Sequence, residues 1–142
     1  MMNAKPWMAR AFIGAMALGA TGTADARVPA GVWANPSNSV QVRFAPCGRG
    51  QDAQLMCGTV IWANEQAKAD AARGGSDRLV GTRLFTDFEE EEPGRWAGTV
   101  FIPDIGREVE GTITQVDAKT LVGEGCLFGG LGCRQQRWRR VK

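Results

Sequence analysis

Hydrophobic and polar residues alternate with a period of two along most of this chain. Val40, Val42 and Phe44 alternate with Gln41 and Arg43. Trp96, Gly98, Val100 and Ile102 alternate with Ala97, Thr99 and Phe101, and Val109, Gly111 and Ile113 with Glu110, Thr112 and Thr114. That period marks half-buried strands rather than helices. Residues 58–63 form a short apolar run, read as a well-buried strand. Turn chemistry separates the runs: Pro93-Gly94, Asp104-Ile105-Gly106, Asp117-Ala118-Lys119 and Gly129-Gly130-Leu131-Gly132. The pattern predicts strands over 31–35, 39–46, 57–63, 79–88, 95–102, 108–116, 119–128 and 133–141. Only residues 65–73, with Ala67, Ala69, Ala71 and Ala72, look helical. They are read as one or two turns or a loop, ended by Gly74-Gly75.

The fold class is therefore all-β, and the expected architecture is an up-and-down antiparallel barrel of about eight strands with one short helix or loop insertion. Closure removes the exposed strand edges that an open sheet would leave. Glycines within the predicted strands (Gly81, Gly98, Gly111, Gly123, Gly125) fit the tight coiling of a small barrel. An open two-sheet sandwich is the alternative. Two motifs bracket the strands: Gly31-Val32-Trp33 and Trp138-Arg139-Arg140. An arginine stacked on the Trp33 indole would tie the first strand to the last. Alternation puts Arg140 on the same face as Trp138, and Arg139 is the other candidate. Gly31, Trp33, Trp138 and Arg140 are the expected closure residues.

The first 26 residues read as an export signal. Lys5 and Arg10 supply the positive start, residues 11–20 a short apolar stretch, and Ala24-Asp25-Ala26 a small-x-small cleavage site. The apolar run falls short of the ~20 residues that span a bilayer. The mature protein is expected to begin at Arg27 as a single domain, 27–142, in the periplasm or secreted, with no membrane span.

Export changes the reading of the four cysteines, Cys47, Cys57, Cys126 and Cys133. In an oxidising compartment disulfides come first. Three pairings exist. The favoured one is Cys47–Cys57 with Cys126–Cys133, since each pair flanks one predicted hairpin loop. Each bond would stabilise by about 2.5–3 kcal/mol in the chain-entropy model. A metal site would need all four thiolates at an unusual spacing, because the chain has no histidine. No metal and no cofactor are expected.

The net charge is only +2, so nothing argues for a nucleic-acid partner. The basic cluster Arg134, Arg137, Arg139, Arg140 and Lys142 splits between two faces of a strand. Glu89-Glu90-Glu91-Glu92 precedes Pro93-Gly94 and reads as a solvated hairpin tip, or else a weak site for a cation or basic partner. With no histidine and no tyrosine, Ser-His, Cys-His and other histidine-based acid–base schemes are excluded. Paired carboxylates from Glu108, Glu110 and Glu124 remain conceivable for glycoside hydrolysis. Glu110 should point outward, opposite Val109, Gly111 and Ile113. The chain is not expected to be an enzyme.

An eight-stranded barrel is just wide enough to be filled by side chains or to hold one small ligand. Candidate lining residues are Val42, Phe44, Trp62, Leu84, Trp96, Val100, Ile113 and Phe128. The same residues could make a solid core, which a domain this short favours.

Taken together, Gly31-Val32-Trp33, Cys57-Gly58-Thr59-Val60-Ile61-Trp62, the segment from Trp96-Ala97-Gly98 to Pro103-Asp104-Ile105-Gly106-Arg107, and Trp138-Arg139-Arg140 resemble an uncharacterised family of small exported bacterial proteins, domain of unknown function 2147. The resemblance covers nearly all of residues 30–141. It departs at Val109, near the place where the family usually has an aromatic residue after the Asp-x-Gly turn. It implies a lipocalin-like barrel and a small apolar ligand, and supplies no catalytic residues. Two functions are therefore carried forward. One is a barrel that binds a small apolar or amphipathic molecule. The other is a protein-binding module (an inhibitor or envelope accessory factor) acting through the stapled loops 48–56 and 129–132 and the acidic run.

Overall fold

The computed structural model describes residues 29–128 and 130–142. The expected export signal lies outside the described residues. Eight antiparallel strands follow one another around a barrel: β1 (Gly31–Ala34), β2 (Val40–Pro46), β3 (Met56–Ala63), β4 (Arg83–Glu92), β5 (Arg95–Ile102), β6 (Arg107–Asp117), β7 (Thr120–Phe128) and β8 (Leu131–Arg140). A single helix, α1 (Glu65–Arg73), connects β3 to β4, and a 3-10 turn (Gly50–Gln54) sits between β2 and β3.

α1 forms where the alanine-rich segment gave a helical reading, and its caps explain why it is ordered. Asn64 accepts a hydrogen bond from the Ala67 N–H at 2.8 Å at the N-terminus. Gly74 ends it, its N–H donating to the carbonyls of Asp70 and Ala71. Two strands differ from expectation: β8 takes in Leu131 and Gly132, expected in the turn, and β4 is displaced along the chain. Residues 79–82 form a turn, and β4 begins at Arg83 and runs on through the acidic residues to Glu92. Gly81 turns the chain at φ +94°, and its N–H donates to the Val60 carbonyl. Glu89, Glu90 and Glu92 are thus exposed strand residues paired with Ala97, Trp96 and Arg95, not a loop.

The hairpins divide the barrel into two ends. The β2–β3, β4–β5 and β6–β7 connections lie at one, together with the Trp33–Arg140 seam. The β1–β2, β5–β6 and β7–β8 turns and α1 lie at the other. At the seam end the interior is solid. Trp33, Val42, Met56, Phe88, Trp96, Ile113 and Leu121 are at most 2 % exposed. Glycine makes room for this packing: a Cβ on Gly98 would come within 2.6 Å of the Phe88 ring, and one on Gly58 within 2.7 Å of both Phe44 and Phe85. In the β6–β7 turn, Asp117 accepts from the Lys119 N–H at 2.8 Å. That bond, with a further one from Thr120, holds its carboxyl below the usual carboxylate range.

Closure rests on a short seam. β1 pairs with β8 through Trp33↔Arg140 and Ala34↔Arg139. The Arg140 guanidinium lies 4.5 Å from the Trp33 ring centroid, which settles the choice between the two arginines. The same side chain donates to the carbonyls of Ala118 (2.8 Å) and Ala30 (2.5 Å). Val32 exchanges backbone hydrogen bonds with Val141 and Lys142 just beyond the strand. Gly31 is required here: at φ +121°, its Cβ would stand 2.4 Å from the Lys142 carbonyl oxygen. Arg140→Ala is expected to cost about 1–2 kcal/mol, from the cation–π contact and the charged hydrogen bonds. In a differential scanning calorimetry trace that is a fall of about 5–10 °C in Tm, with no change in binding at the far end. An unchanged Tm would refute this role.

Both disulfides are formed, Cys47–Cys57 and Cys126–Cys133. The first ties β2 to β3 beside the 3-10 turn, and the second joins directly paired residues of β7 and β8.

Candidate functional site

The two ends of the interior differ in kind. Away from the seam the side chains stop filling the barrel, and a cavity of about 740 Å³ opens. Its floor is Trp138 and Phe85, which meet edge to face at 5.7 Å. Its walls include Leu84, Val100, Ile102, Val109 and Leu127. Its rim is the β1–β2 turn (Asn35, Ser37, Ser39), α1 (Gln66, Ala67, Asp70), and the β5–β6 turn (Pro103, Asp104, Ile105).

Small residues on the β7–β8 wall create the space. Along β7 the inward positions are Leu121, Gly123, Gly125 and Leu127; opposite them on β8 stand Trp138, Gln136, Arg134 and Gly132. A Cβ on Gly125 would meet only Val109, at 3.4 Å, and one on Gly123 would have Trp138 as its nearest contact, at 3.7 Å. Neither glycine is demanded by close packing, in contrast to Gly98 or Gly111. Arg134 and Gln136 face inward by register yet are exposed to solvent.

The rim is built from local hydrogen bonds. Asn35 Oδ1 accepts from the N–H groups of Ser39 and Val40, and its Nδ2 donates to the Ser39 hydroxyl at 2.8 Å. The Asn64 N–H donates to the Ser39 carbonyl, linking this turn to the start of α1. The other end of α1 rests on the β5–β6 turn. Contact there is backbone to backbone: a Cβ on Gly74 would lie 1.9 Å from the Pro103 carbonyl oxygen.

This geometry divides the expected lining residues. Leu84 and Val100 line the cavity. Val42, Phe44, Trp96 and Ile113 belong to the solid core. Trp62 and Phe128 lie outside, 43 % and 64 % exposed. For Trp62 the cause is a bulge. Val42 pairs with Val60 but Gln41 with Trp62, so Ile61 is an extra residue and alternation shifts beyond it. Phe128 shares its face with Glu124 and Cys126, and that face is the outer one. The expectation of a wholly filled interior holds for the seam end alone.

The carboxylates considered for catalysis do not enter the cavity. Glu108 and Glu110 alternate with inward Val109 and Gly111 and are exposed. Glu124 lies on the outer face, where Gln135 Nε2 donates to it at 2.6 Å. All four cysteine sulfurs are bonded to one another, so none is a free thiolate. The two stapled loops stand at opposite ends of the barrel, with the acidic run beside only the first.

Sequence reasoning missed Ile102, Val109, Leu127, Gly123, Gly125, Arg134 and Gln136. For those on β7 and β8 the signal was strand parity: once Trp138 is inward, so are Gln136 and Arg134. The family model for uncharacterised proteins conserved in bacteria, DUF2147, matches residues 31–140, from the first strand to the last. The chain belongs to the DUF2147 family. No curated protein and no solved structure matches it. In this DUF2147 barrel the matched region contains the closing strand pair, both disulfides and every residue that lines the cavity. Among the described residues no helix is long and apolar enough to cross a membrane.

Proposed function

We propose that this protein is a binding protein, not an enzyme, and that it holds one small apolar or amphipathic molecule in the open end of its barrel. The observation that carries the reading is the cavity itself: about 740 Å³, within the range of ligand sites, with an aromatic floor and aliphatic walls. The two glycines on its wall leave room where any larger residue would fill it. The two disulfides, and the export signal read in the first 26 residues, support a site of action outside the cytoplasm, in the periplasm or secreted. The outward direction of Glu108, Glu110 and Glu124 speaks against a carboxylate pair at the ligand. The alternative of a protein-binding surface is less favoured, because the two stapled loops cannot form one surface from opposite ends.

Native mass spectrometry of protein exported to a periplasm and gently purified tests the proposal. The expected result is an added mass of a few hundred daltons, or, after delipidation, saturable binding of the neutral probe N-phenyl-1-naphthylamine. A bare mass together with no probe binding would overturn it.

A further inference from the structure

We infer that the cavity selects an amphiphile with a single anionic head, a carboxylate or phosphate, and that Arg134 is the residue that reads the charge. This rests on the cavity being a ligand site and adds the chemistry of the head group.

The argument starts from register. Arg134 pairs with Gly125, which pairs with Gly111 on β6. Its two neighbours across the sheet therefore have no side chains with which to cover or neutralise it. Arg134 makes no ion pair or side-chain hydrogen bond among the described residues, and it is the only Lys or Arg that lines the cavity there. Arg140, the next arginine on the inner face, is by contrast fully engaged at the seam.

The acidic groups around the cavity are mostly occupied. Asp70 is held by Arg73 and by Gln66 Nε2 at 2.9 Å. Glu124 contributes to the wall but turns its carboxylate outward to Gln135. Asp104 remains, on the β5–β6 turn, with β6 and β7 between it and β8. Gln136, one inward step deeper than Arg134, adds an amide donor. A guanidinium offers a planar fork of donors that matches carboxylate and phosphate oxygens. Deeper than it lies the floor of Trp138 and Phe85, and Val109 and Leu127 add apolar wall beside it, one step nearer the mouth. A molecule with a charged end near the mouth and an apolar tail satisfies both regions. A wholly apolar ligand would leave Arg134 facing hydrocarbon or displaced into solvent.

The test is calorimetric titration of the exported, delipidated protein with four probes of one chain length: dodecanol, dodecanoate, dodecyl phosphate and dodecyltrimethylammonium. Both anions are expected to bind about tenfold or more tighter than dodecanol, the size of a charged hydrogen bond. The tighter of the two identifies the natural head. Arg134→Gln should remove that advantage and leave dodecanol affinity unchanged. Arg137→Gln, on the outer face of the same strand, should change neither and so controls for net charge. If dodecanol binds but the anions bind no tighter, or if Arg134→Gln has no effect, the head-group assignment is wrong while the cavity reading stands. Preference for the cationic probe would also overturn it, in favour of Asp104. Binding of none of the four would remove the cavity reading itself.

Discussion

Gly125→Leu is expected to abolish binding of N-phenyl-1-naphthylamine while leaving the barrel folded. The position allows a side chain locally. Its φ is not in the left-handed region, and the first atom of a new side chain would touch only Val109, at an ordinary 3.4 Å. Beyond that atom the side chain has nowhere to go but the cavity. An isobutyl group there occupies space between Val109 and the β8 wall that the ligand needs. Affinity should fall more than tenfold, and Tm should stay within a few degrees of the parent. The contrasting variant is Gly111→Ala, one strand away. Its Cβ would lie 2.6 Å from Val100 and 2.8 Å from the Glu124 carbonyl oxygen. Overpacking of that kind costs about 1–3 kcal/mol. The pair separates occlusion from destabilisation. If Gly125→Leu binds the probe as the parent does, the cavity is not the site.

Trp33→Ala is expected to produce the largest loss of stability of any single change in the barrel, about 3–5 kcal/mol. Trp33 is fully buried, and its indole N–H donates to the Pro29 carbonyl at 2.9 Å. Truncation removes a large apolar surface, leaves that carbonyl without its donor, and takes away the ring under Arg140. Trp96 is as deeply buried, but in β5 it is paired to Ile113 of β6 on one side and to Glu90 of β4 on the other. Trp33 sits in the shortest strand, beside a seam with two paired positions. Small domains have only ~5–15 kcal/mol of stability to lose. Urea denaturation should therefore show a large fall in midpoint with little change in slope. Trp33→Phe, which keeps most of the burial, should recover more than half of the loss. A midpoint shift smaller than that of Arg140→Ala would show that the ring is not central to the seam.

Much of the fold was legible because a strand period of two survives on both faces of β2, β5 and β6. Residues 95–102 were assigned to the residue, and both disulfides followed from their placement around hairpins. The closing pair of Trp33 and Arg140 was legible as chemistry before it was visible as geometry. The cavity was less legible, for physical reasons that can be named. Apolar character points to the inside, but the inner face of β7 is half glycine while its outer face carries Val122 and Phe128. A hollow wall has no hydrophobic signature. At Trp62 the parity of β3 was read across a bulge at Ile61, and a one-residue insertion turns every later side chain over. Arg134 was seen only as one of several basic residues. Its direction follows from the parity it shares with Gln136 and Trp138 along β8.

The seam also orders events during folding. Neighbouring strands β1 to β7 can pair as soon as each hairpin exists, since every contact is with the strand just before. The link from Val32 to Val141 and Lys142 joins the two most distant parts of the sheet, and loop closure over that length is the slow, entropically costly step. Until it happens, β1 and the strand at the other edge offer unpaired N–H and C=O groups to any neighbour. A chain that has lost Val141 and Lys142 should therefore betray itself first by clumping during refolding, at concentrations where the intact chain stays clear.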